Sequence, residues 1–255
     1  MIERLDKYVV TLGLCPTRSQ AKLWIKAGNV LVNGQAVTEG SFEASETDTI
    51  TLKEMIRYVG RGGLKLESAL QAFSIDPNGL VCLDIGASTG GFTDCLLQHG
   101  ARFVYALDVG TGQLVESLKN HPQVANFEQT HVQDLGLLPI QNPIDLTVID
   151  TSFISILKVL SPVLAFLENQ ITQENSLWRP SVVALIKPQF EYGEVFSNKS
   201  FKGVVSNPKE RQVLLETVQA SIRQRFPRWS ILATTDSPIA GSSGNLEQFV
   251  HLKWT

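Results

Sequence analysis

Residues 80–94 read LVCLDIGASTGGFTD, and this stretch indicates the fold. Its first six residues are mostly apolar, which is typical of a central parallel strand. Gly86 and the Gly90-Gly91 pair permit a tight turn close to a ligand, and Thr93 and Asp94 suit the first turn of a helix. A strand, a glycine-rich turn and a helix in immediate succession predict a nucleotide-cofactor pocket in an α/β protein.

Two carboxylates narrow the choice of nucleotide. A second predicted strand, residues 103–107, ends at Asp108, where a carboxylate can accept hydrogen bonds from both hydroxyls of a ribose. Asp84 lies just before the turn, where it would repel a pyrophosphate but could hold an ammonium group. S-adenosylmethionine has an amino-acid tail and no phosphate, so it fits better than a dinucleotide. The alternative is an α/β protein whose glycines only form a turn.

The remainder of the chain alternates strands with helices, as a Rossmann-like, doubly wound parallel α/β sheet requires. Asp150 ends one predicted strand, Lys187 follows another, and Glu247 opens the last. Because ligands of such sheets bind beyond the carboxyl ends of the strands, Asp150 and Lys187 are expected on the cofactor side. The strands are predicted near residues 102–107, 124–128, 144–149, 181–186, 229–234 and 247–253.

The first 52 residues follow a different pattern. Apolar residues at helical spacing predict one helix over residues 2–12 and a second between Thr17 and Gly28. Two short strands around an Asn33-Gly34 turn and a further strand at 48–52 complete a small α+β module. The predicted organisation is a module at 1–52, a linker at 53–63 and the α/β domain at 64–255.

Charge and cysteine content limit the function classes. Residues 1–38 hold five Lys or Arg against two acidic residues, whereas the whole chain has a net charge of −3. A basic end on an acidic body favours nucleic-acid binding, although an ordinary solvated helix face would carry similar charge. The three cysteines and four histidines lack paired spacing, so we expect no metal site and no disulfide framework. Without a visible signal peptide or membrane-spanning stretch, we expect a cytoplasmic protein that does not contact membranes.

The N-terminal module resembles the S4 RNA-binding domain. The resemblance rests on RLD at residues 4–6, TRSQA at 17–21 and IKAGNVLVNG at 25–34. It implies that cations on the helices face RNA phosphates, with Asn33 near the same groove. The implied RNA contacts are Arg4, Arg18, Lys22, Lys26 and Asn33. The alternative is that these residues only solubilise a small folding module.

The whole chain resembles the TlyA family of S4-linked, FtsJ-like ribose 2′-O-methyltransferases, a group often labelled hemolysin. The motifs are YVGRGGLKL at 58–66, residues 84–94, DTSFIS at 150–155, IKPQFE at 186–191, GVV at 203–205 and GNLE at 244–247. The resemblance implies S-adenosylmethionine-dependent methylation of a cytidine ribose in the ribosomal RNA of a ribosomal subunit. Residues 241–244 lack the expected Gly-Pro-Lys-Gly character, and Thr151 stands where valine is common. These departures affect the placement of the substrate rather than the chemistry of methyl transfer.

In that family a set of two lysines and two acids is catalytic, and it matches Lys65, Asp150, Lys187 and Glu247. A ribose 2′-hydroxyl is a poor nucleophile, and in-line attack on a sulfonium methyl requires it to be aligned and partly deprotonated. Lys187 would either accept the proton or stabilise the developing alkoxide as a cation, with Asp150 orienting it. Lys65 would hold the substrate oxygen or the adjacent phosphate, and Glu247 would orient one or both lysines. Taken singly, each could instead form a surface ion pair.

The resemblance also implies cofactor and further RNA contacts. The turn would surround the methionine part, Asp108 would accept from the ribose, and Asp134 would reach the adenine amino group, although a plain loop cap at Asp134 is a comparable alternative. The cofactor set is Asp84, Gly86, Ala87, Ser88, Gly90, Gly91, Phe92, Asp108 and Asp134. Further RNA contacts are expected from Arg61, and from Lys199 and Lys202 in a 198–209 loop that would close on RNA.

Other classes fit these residues less well. Methyltransferases acting on base amino groups use an Asp/Asn-Pro-Pro-Tyr/Phe motif, and residues 150–153 lack the prolines. Cytosine-C5 chemistry needs a nucleophilic thiolate, which no cysteine here is placed to supply. S4-containing pseudouridine synthases and tRNA ligases leave the glycine-rich pocket unexplained. A non-catalytic RNA-binding factor and a membrane-active hemolysin remain as alternatives.

The ends of the chain resemble those of the short form of the TlyA family. This resemblance favours large-subunit over small-subunit ribosomal RNA as the substrate.

Overall fold

The computed structural model describes residues 2–15, 17–53, 57–173, 178–196, 201, 203–241 and 243–255. The chain divides into two compact units, Met1–Arg57 and Tyr58–Thr255. This division falls inside the segment 53–63 that the sequence suggests as a linker. Each unit has a hydrophobic core of its own.

The first unit is a small α+β module. Helices α1 (Leu5–Thr11) and α2 (Arg18–Lys26) pack through buried side chains that include Leu5, Val9 and Ile25. Its strands are β1 (Ile2–Arg4), β2 (Val30–Val32), β3 (Gln35–Ala36), β4 (Glu43–Ser45) and β5 (Ile50–Leu52). Strand β2 lies between β3 and β5, and β1 pairs with β4, all antiparallel.

Two local features of the first unit follow from its backbone. The β2–β3 hairpin turns at Asn33 and Gly34, both with positive φ, which is the conformation that a two-residue hairpin turn requires. The prediction of a helix from residue 2 is wrong, because Ile2 lies in β1, where it is paired with Ser45. Its side chain is 71% exposed, so tertiary strand pairing, not burial, determines this conformation.

The second unit is built on one mixed sheet. Its strands are β6 (Val81–Ile85), β7 (Phe103–Leu107), β8 (Val124–Phe127), β9 (Leu146–Ile149), β10 (Ser181–Ile186), β11 (Trp229–Asp236) and β12 (Gln248–Trp254). Their order is β11-β12-β10-β9-β6-β7-β8. The chain runs outward from β6 in one direction and returns through β9 in the other, so the predicted doubly wound α/β fold is confirmed.

Strand direction departs from the prediction at one place. Strands β6 to β10 pair in parallel, whereas β12 is antiparallel to both β10 and β11. Only residues 237–247 separate β11 from β12. A parallel return needs a crossover of roughly a dozen residues or more, usually containing a helix, so the shorter connection makes β12 antiparallel.

Helices cover both faces of this sheet. They are α3 (Gly62–Phe73), α4 (Gly91–Gln98), α5 (Glu116–Lys119), α6 (Ile156–Gln173), α7 (Pro188–Val195) and α8 (Pro208–Arg225), with a 3₁₀ helix at Val132–Leu137. Buried residues of α3 and α4 pack on one face, and those of α6 and α8 pack on the other. The buried strands therefore form a rigid platform whose carboxyl ends can position side chains.

Candidate active site

Four ionisable side chains converge where the parallel strands end. Asp150 directly follows β9 and Lys187 directly follows β10. Glu247 precedes β12, and because β12 is antiparallel and pairs Gln248 with Ile186, its first residues lie at the end of β10. Lys65 comes from the first turn of α3. All four line one cavity of about 570 Å³, so the strand ends bring the predicted catalytic residues together.

Lys65 and Glu247 form a buried ion pair. Lys65 Nζ lies 2.6 Å from Glu247 Oε2, and their side chains are 11% and 2% exposed. Neither charge has much access to water, so each depends on the other for compensation. Glu247 therefore contacts the lysine from α3, one of the two that the sequence left open.

Lys187 is held by two groups of the loop after β9. Its Nζ lies 2.7 Å from Asp150 Oδ1 as an ion pair and donates a hydrogen bond of 3.0 Å to Ser152 Oγ. The side chain of Lys187 is 10% exposed and that of Asp150 is 21% exposed. This lysine therefore has a defined position with one edge of the pair open to the cavity.

The glycine-rich turn packs against the same loop. Gly86 has a φ of +84°, and a Cβ there would lie 2.7 Å from the carbonyl oxygen of Asp150. Ser88, also at positive φ, donates its backbone N–H to Asp108 Oδ2 at 2.8 Å, and Asp108 Oδ1 accepts from Gly110 N at 2.7 Å. Asp108 thereby ties the turn after β6 to the loop after β7.

Asp84 is fully buried within β6. Its Oδ2 accepts a hydrogen bond of 2.6 Å from Thr93 Oγ1, whereas its Oδ1 has no hydrogen-bond partner among the described residues. Burial raises the pKa of Asp84 to about 7, opposed by the Thr93 hydrogen bond and reinforced by the negative charge of Asp150. Asp84 lines none of the cavities at this site, so it can act on the ammonium group of a ligand through its charge, whereas a direct contact stays a prediction.

Two further cavities adjoin the first. One of about 440 Å³ extends from Gly86 past Asp108 to His131, Val132 and Gln133. Asp134, the expected adenine contact, is exposed on the 3₁₀ helix and is not among the described residues that line it. A smaller cavity of about 190 Å³ lies along Gly60–Gly62 and the turn, and its lining includes Ala87, Gly91 and Phe92.

The three cavities share Ser88, Asp150 and Ser152. A ligand seated along the glycine turn and a second ligand in the cavity with the lysines would therefore meet beside Asp150. This arrangement suits a transfer between two bound molecules, because both reactants are held next to the same polar groups.

Within the described residues, no group of three or more His, Cys, Asp or Glu side chains is arranged to hold a metal ion. The helices of the described part of the chain also include none that is long and apolar enough to cross a membrane.

Residues 58–254 match the sequence model of the FtsJ-like methyltransferases, and residues 3–50 match that of the S4 domain. The first match covers more than three quarters of the chain. The chain belongs to the FtsJ-like methyltransferase family. It is therefore a methyltransferase that carries an S4 domain, as the sequence predicts.

Similar proteins span nearly the whole chain. A Brachyspira hyodysenteriae protein named Hemolysin A is 40% identical over 249 residues, 97% of this chain and 98% of that protein. A Mycobacterium tuberculosis protein named 16S/23S rRNA (cytidine-2′-O)-methyltransferase TlyA is 37% identical over 98% of this chain and 89% of its own. A Lactococcus lactis crystal structure, described as a hemolysin candidate, is 43% identical, covers 78% of this chain and 89% of its own, and has a TM-score of 0.67. The resemblance to the TlyA family is confirmed.

The FtsJ-like domain contains buried polar residues to which sequence reasoning gave no role. Glu191 is 1% exposed and accepts from Ser155 Oγ at 2.7 Å and from Ile156 N at 2.6 Å, which fastens the loop after β9 to α7. Asn245 is equally buried and bonds to Val205 N and Gly203 O, which fastens the GVV motif to the loop before β12. The sequence offered one signal for these roles, since Glu191 and Asn245 are polar residues inside the motifs IKPQFE and GNLE.

Sequence reasoning also gave no role to Ser152 and Phe153. Ser152 contributes the hydroxyl that Lys187 donates to. Phe153 has a φ of +65°, its side chain is 90% exposed, and its ring lies 5.2 Å from that of Phe190. A bulky residue at positive φ is rare, so the loop holds this ring at the cavities against local backbone preference.

The residues of the S4 domain that are expected to contact RNA differ in their exposure and in their partners. Lys22 and Lys26 are exposed on α2, whereas Arg4 and Arg18 both contact buried Asp6. Asn33 uses its amide internally, since Nδ2 donates to Asp48 Oδ1 and Oδ1 accepts from Thr49 N. The Asn33 side chain thereby links the β2–β3 turn to the residues just before β5. In the FtsJ-like domain Arg61 lines two of the cavities, and Lys199 and Lys202 lie outside the described residues.

Proposed function

We propose that this methyltransferase uses S-adenosylmethionine to methylate the ribose 2′-oxygen of a cytidine in ribosomal RNA. The observation that carries the proposal is the meeting of two acid-paired lysines, Lys65 and Lys187, at a cavity continuous with the glycine-rich turn. The substrate class is supported by the name of the M. tuberculosis relative, and RNA binding is supported by the S4 domain.

The residues around the turn fit the cofactor. S-adenosylmethionine supplies a methyl group on a positively charged sulfur. Buried Asp84, whose Oδ1 has no partner among the described residues, would supply the counter-charge for the ammonium of its amino-acid tail, and half-buried Asp108 can accept from ribose hydroxyls. Gly86, Ala87, Ser88, Gly90, Gly91 and Phe92 would border the methionine part. Gln133 lines the cavity where Asp134 does not, so we assign the adenine end to Gln133 together with His131 and Val132.

Lys187 is proposed to contact the attacking 2′-oxygen. Its Nζ either accepts the hydroxyl proton or stabilises the developing alkoxide by its charge, while Asp150 and Ser152 fix its position. Lys65, held by Glu247, approaches the same cavity from α3 and would hold the substrate oxygen or the adjacent phosphate. The two lysines then align the hydroxyl from two sides, which lowers the barrier to in-line attack.

The S4 domain is proposed to find the site by contacts with RNA phosphates. Lys22 and Lys26 project from α2, and Arg4 and Arg18 lie near its start. Phosphate contacts of this kind fix the position of an RNA without reading its sequence. Choice of the cytidine would then be made in the cavity that holds Lys65 and Lys187.

The test uses the full chain with tritiated S-adenosylmethionine and unmethylated large and small ribosomal subunits, assayed separately. We expect transfer to one ribose, mapped as a position resistant to alkaline cleavage, and loss of at least 100-fold in Lys187→Ala. Lys187→Arg distinguishes the two roles, because arginine keeps the charge but cannot act as a base. Label on a base or on protein, or no label with cofactor bound, would contradict the proposal.

A membrane-active role is the second candidate, favoured by the names of the B. hyodysenteriae relative and of the L. lactis crystal structure. Release of haemoglobin from erythrocytes by wild-type protein and by Lys187→Ala measures it directly. Lysis by both proteins, in the absence of RNA and S-adenosylmethionine, would support that role. We expect neither protein to lyse cells.

A further inference from the structure

A buried carboxylate in the S4 domain holds two arginines side by side. Asp6, in the first turn of α1, is fully buried. Its Oδ2 accepts hydrogen bonds from Arg4 Nη2 at 3.0 Å and from Arg18 Nη2 at 3.2 Å. Because both bonds end on one oxygen atom, the two nitrogens lie within about 6 Å of each other.

The charges are arranged with the anion inside and the cations outside. The side chains of Arg4 and Arg18 are 49% and 51% exposed, whereas that of Asp6 is 0% exposed. Hydrogen bonds from Arg4, and then from Arg18, hold the pKa of Asp6 below its ordinary value. A solvent-borne anion can therefore reach both guanidinium groups but cannot reach the carboxylate.

The position of Asp6 is fixed by the chain itself. Its backbone N–H donates to Gly40 O at 3.0 Å, and a Cβ on Gly40 would lie 3.3 Å from Asp6 Cβ. Arg4 and Arg18 come from different elements, the end of β1 and the start of α2. Without a common acceptor, two cations this close would repel and occupy many rotamers.

We propose that Asp6 is a positioning residue that sets Arg4 and Arg18 as a clamp for one phosphodiester of the RNA. Each Nη2 uses one of its two hydrogens on Asp6, so the remaining N–H groups of the two guanidiniums, whose Nη2 atoms lie within about 6 Å of each other, can donate to different oxygens of one phosphate group. The inference rests on the RNA-binding function proposed above and adds to it a site, a ligand group and the residue that organises it.

Charge and geometry make opposite predictions for Asp6→Asn. The substitution removes a negative charge beside a phosphate site, so charge alone predicts tighter RNA binding. Loss of positioning predicts weaker binding. Glu3→Gln is the matched control, because Glu3 pairs with exposed Lys7 at 2.6 Å in the same domain and loses the same charge.

The measurement is the Kd of the full chain for unmethylated ribosomal subunits at several salt concentrations. We expect Asp6→Asn to bind about tenfold more weakly than wild type, as loss of one well-placed charged contact implies, and Glu3→Gln to bind at least as tightly as wild type. Asp6→Asn binding as tightly as Glu3→Gln would overturn the clamp.

Circular dichroism and thermal melting check that Asp6→Asn is folded. If it is not, Arg18→Lys decides, because it keeps the charge and removes the planar fork. Binding several-fold weaker than wild type supports the clamp, and wild-type binding by Arg18→Lys refutes it. Wild-type protein that fails to bind either subunit would instead refute the proposed function.

Discussion

Asp84→Asn tests whether the buried carboxylate beside the glycine turn is a cofactor ligand. The pKa of Asp84 is raised from 3.8 to about 7 by burial, so the folded protein holds its proton over a range where the unfolded chain has released it. Three pKa units correspond to about 4 kcal/mol. The contribution of Asp84 to the free energy of unfolding is therefore largest below pH 4, where both states are protonated. It is lost progressively as the pH rises to about 7.

Urea unfolding of wild type and Asp84→Asn between pH 4 and pH 8 measures this effect. Asparagine does not ionise, and it retains an oxygen that can accept from Thr93. The difference in unfolding free energy between the two proteins should shift by about 4 kcal/mol over this range, in favour of the variant at high pH. A pH-independent difference would show that burial does not raise the pKa of Asp84.

The same ionisation governs cofactor affinity. The proposed pairing of the cofactor's ammonium group with the ionised Asp84 carboxylate predicts that the Kd of wild type for S-adenosylhomocysteine rises about tenfold for each pH unit below 7. Titration calorimetry should find weaker but pH-independent binding by Asp84→Asn. A wild-type Kd that is constant from pH 5.5 to 8 would show that Asp84 does not contact the amino group.

Three further predictions concern the turn, the buried ion pair and the loop after β9. Gly86→Ala should reduce cofactor affinity at least 100-fold by calorimetry, because its Cβ would meet the Asp150 carbonyl, whereas Gly112→Ala, also at positive φ but with open space around it, should bind normally. Glu247→Gln should lower kcat at least tenfold and destabilise the fold by about 3 kcal/mol, since it leaves the Lys65 ammonium buried without its counter-charge. Its control, Glu194→Gln in the exposed pair with Lys158, should cost under about 0.5 kcal/mol in denaturant. Glu191→Gln should lower the melting temperature and kcat, because Ser155 and Ile156 donate to different oxygens of the carboxylate and glutamine has only one acceptor oxygen; wild-type values of both would contradict this fastening role.

Those parts of the fold that depend on neighbouring residues in the chain were predictable from the sequence. Residues 80–94 form a strand, a turn and a helix because each conformation is specified by its own residues: apolar side chains for β6, glycine at Gly86 and Gly90, and Gly91 at the start of α4. The carboxyl ends of parallel strands meet by topology, so the proximity of Asp150 and Lys187 also follows from the pattern.

The tertiary pairings were not predictable. The partner of Glu247 depends on the antiparallel direction of β12, which the alternation of strands and helices does not reveal. The position of Asn33 near RNA stays a prediction, whereas the hydrogen bonds of its amide to Asp48 and Thr49 could not be predicted, because only the folded hairpin brings these residues near. The contact of Arg4 and Arg18 with one oxygen of Asp6 likewise joins separate elements.

Lys187, held by Asp150 and Ser152, is proposed to carry the chemistry of methyl transfer. This role is tested most directly by single-turnover methylation of ribosomal subunits by Lys187→Ala, with cofactor affinity and thermal melting measured on the same preparation. We expect a rate at least 100-fold below wild type, with cofactor binding and fold retained. Methylation at the wild-type rate would contradict it.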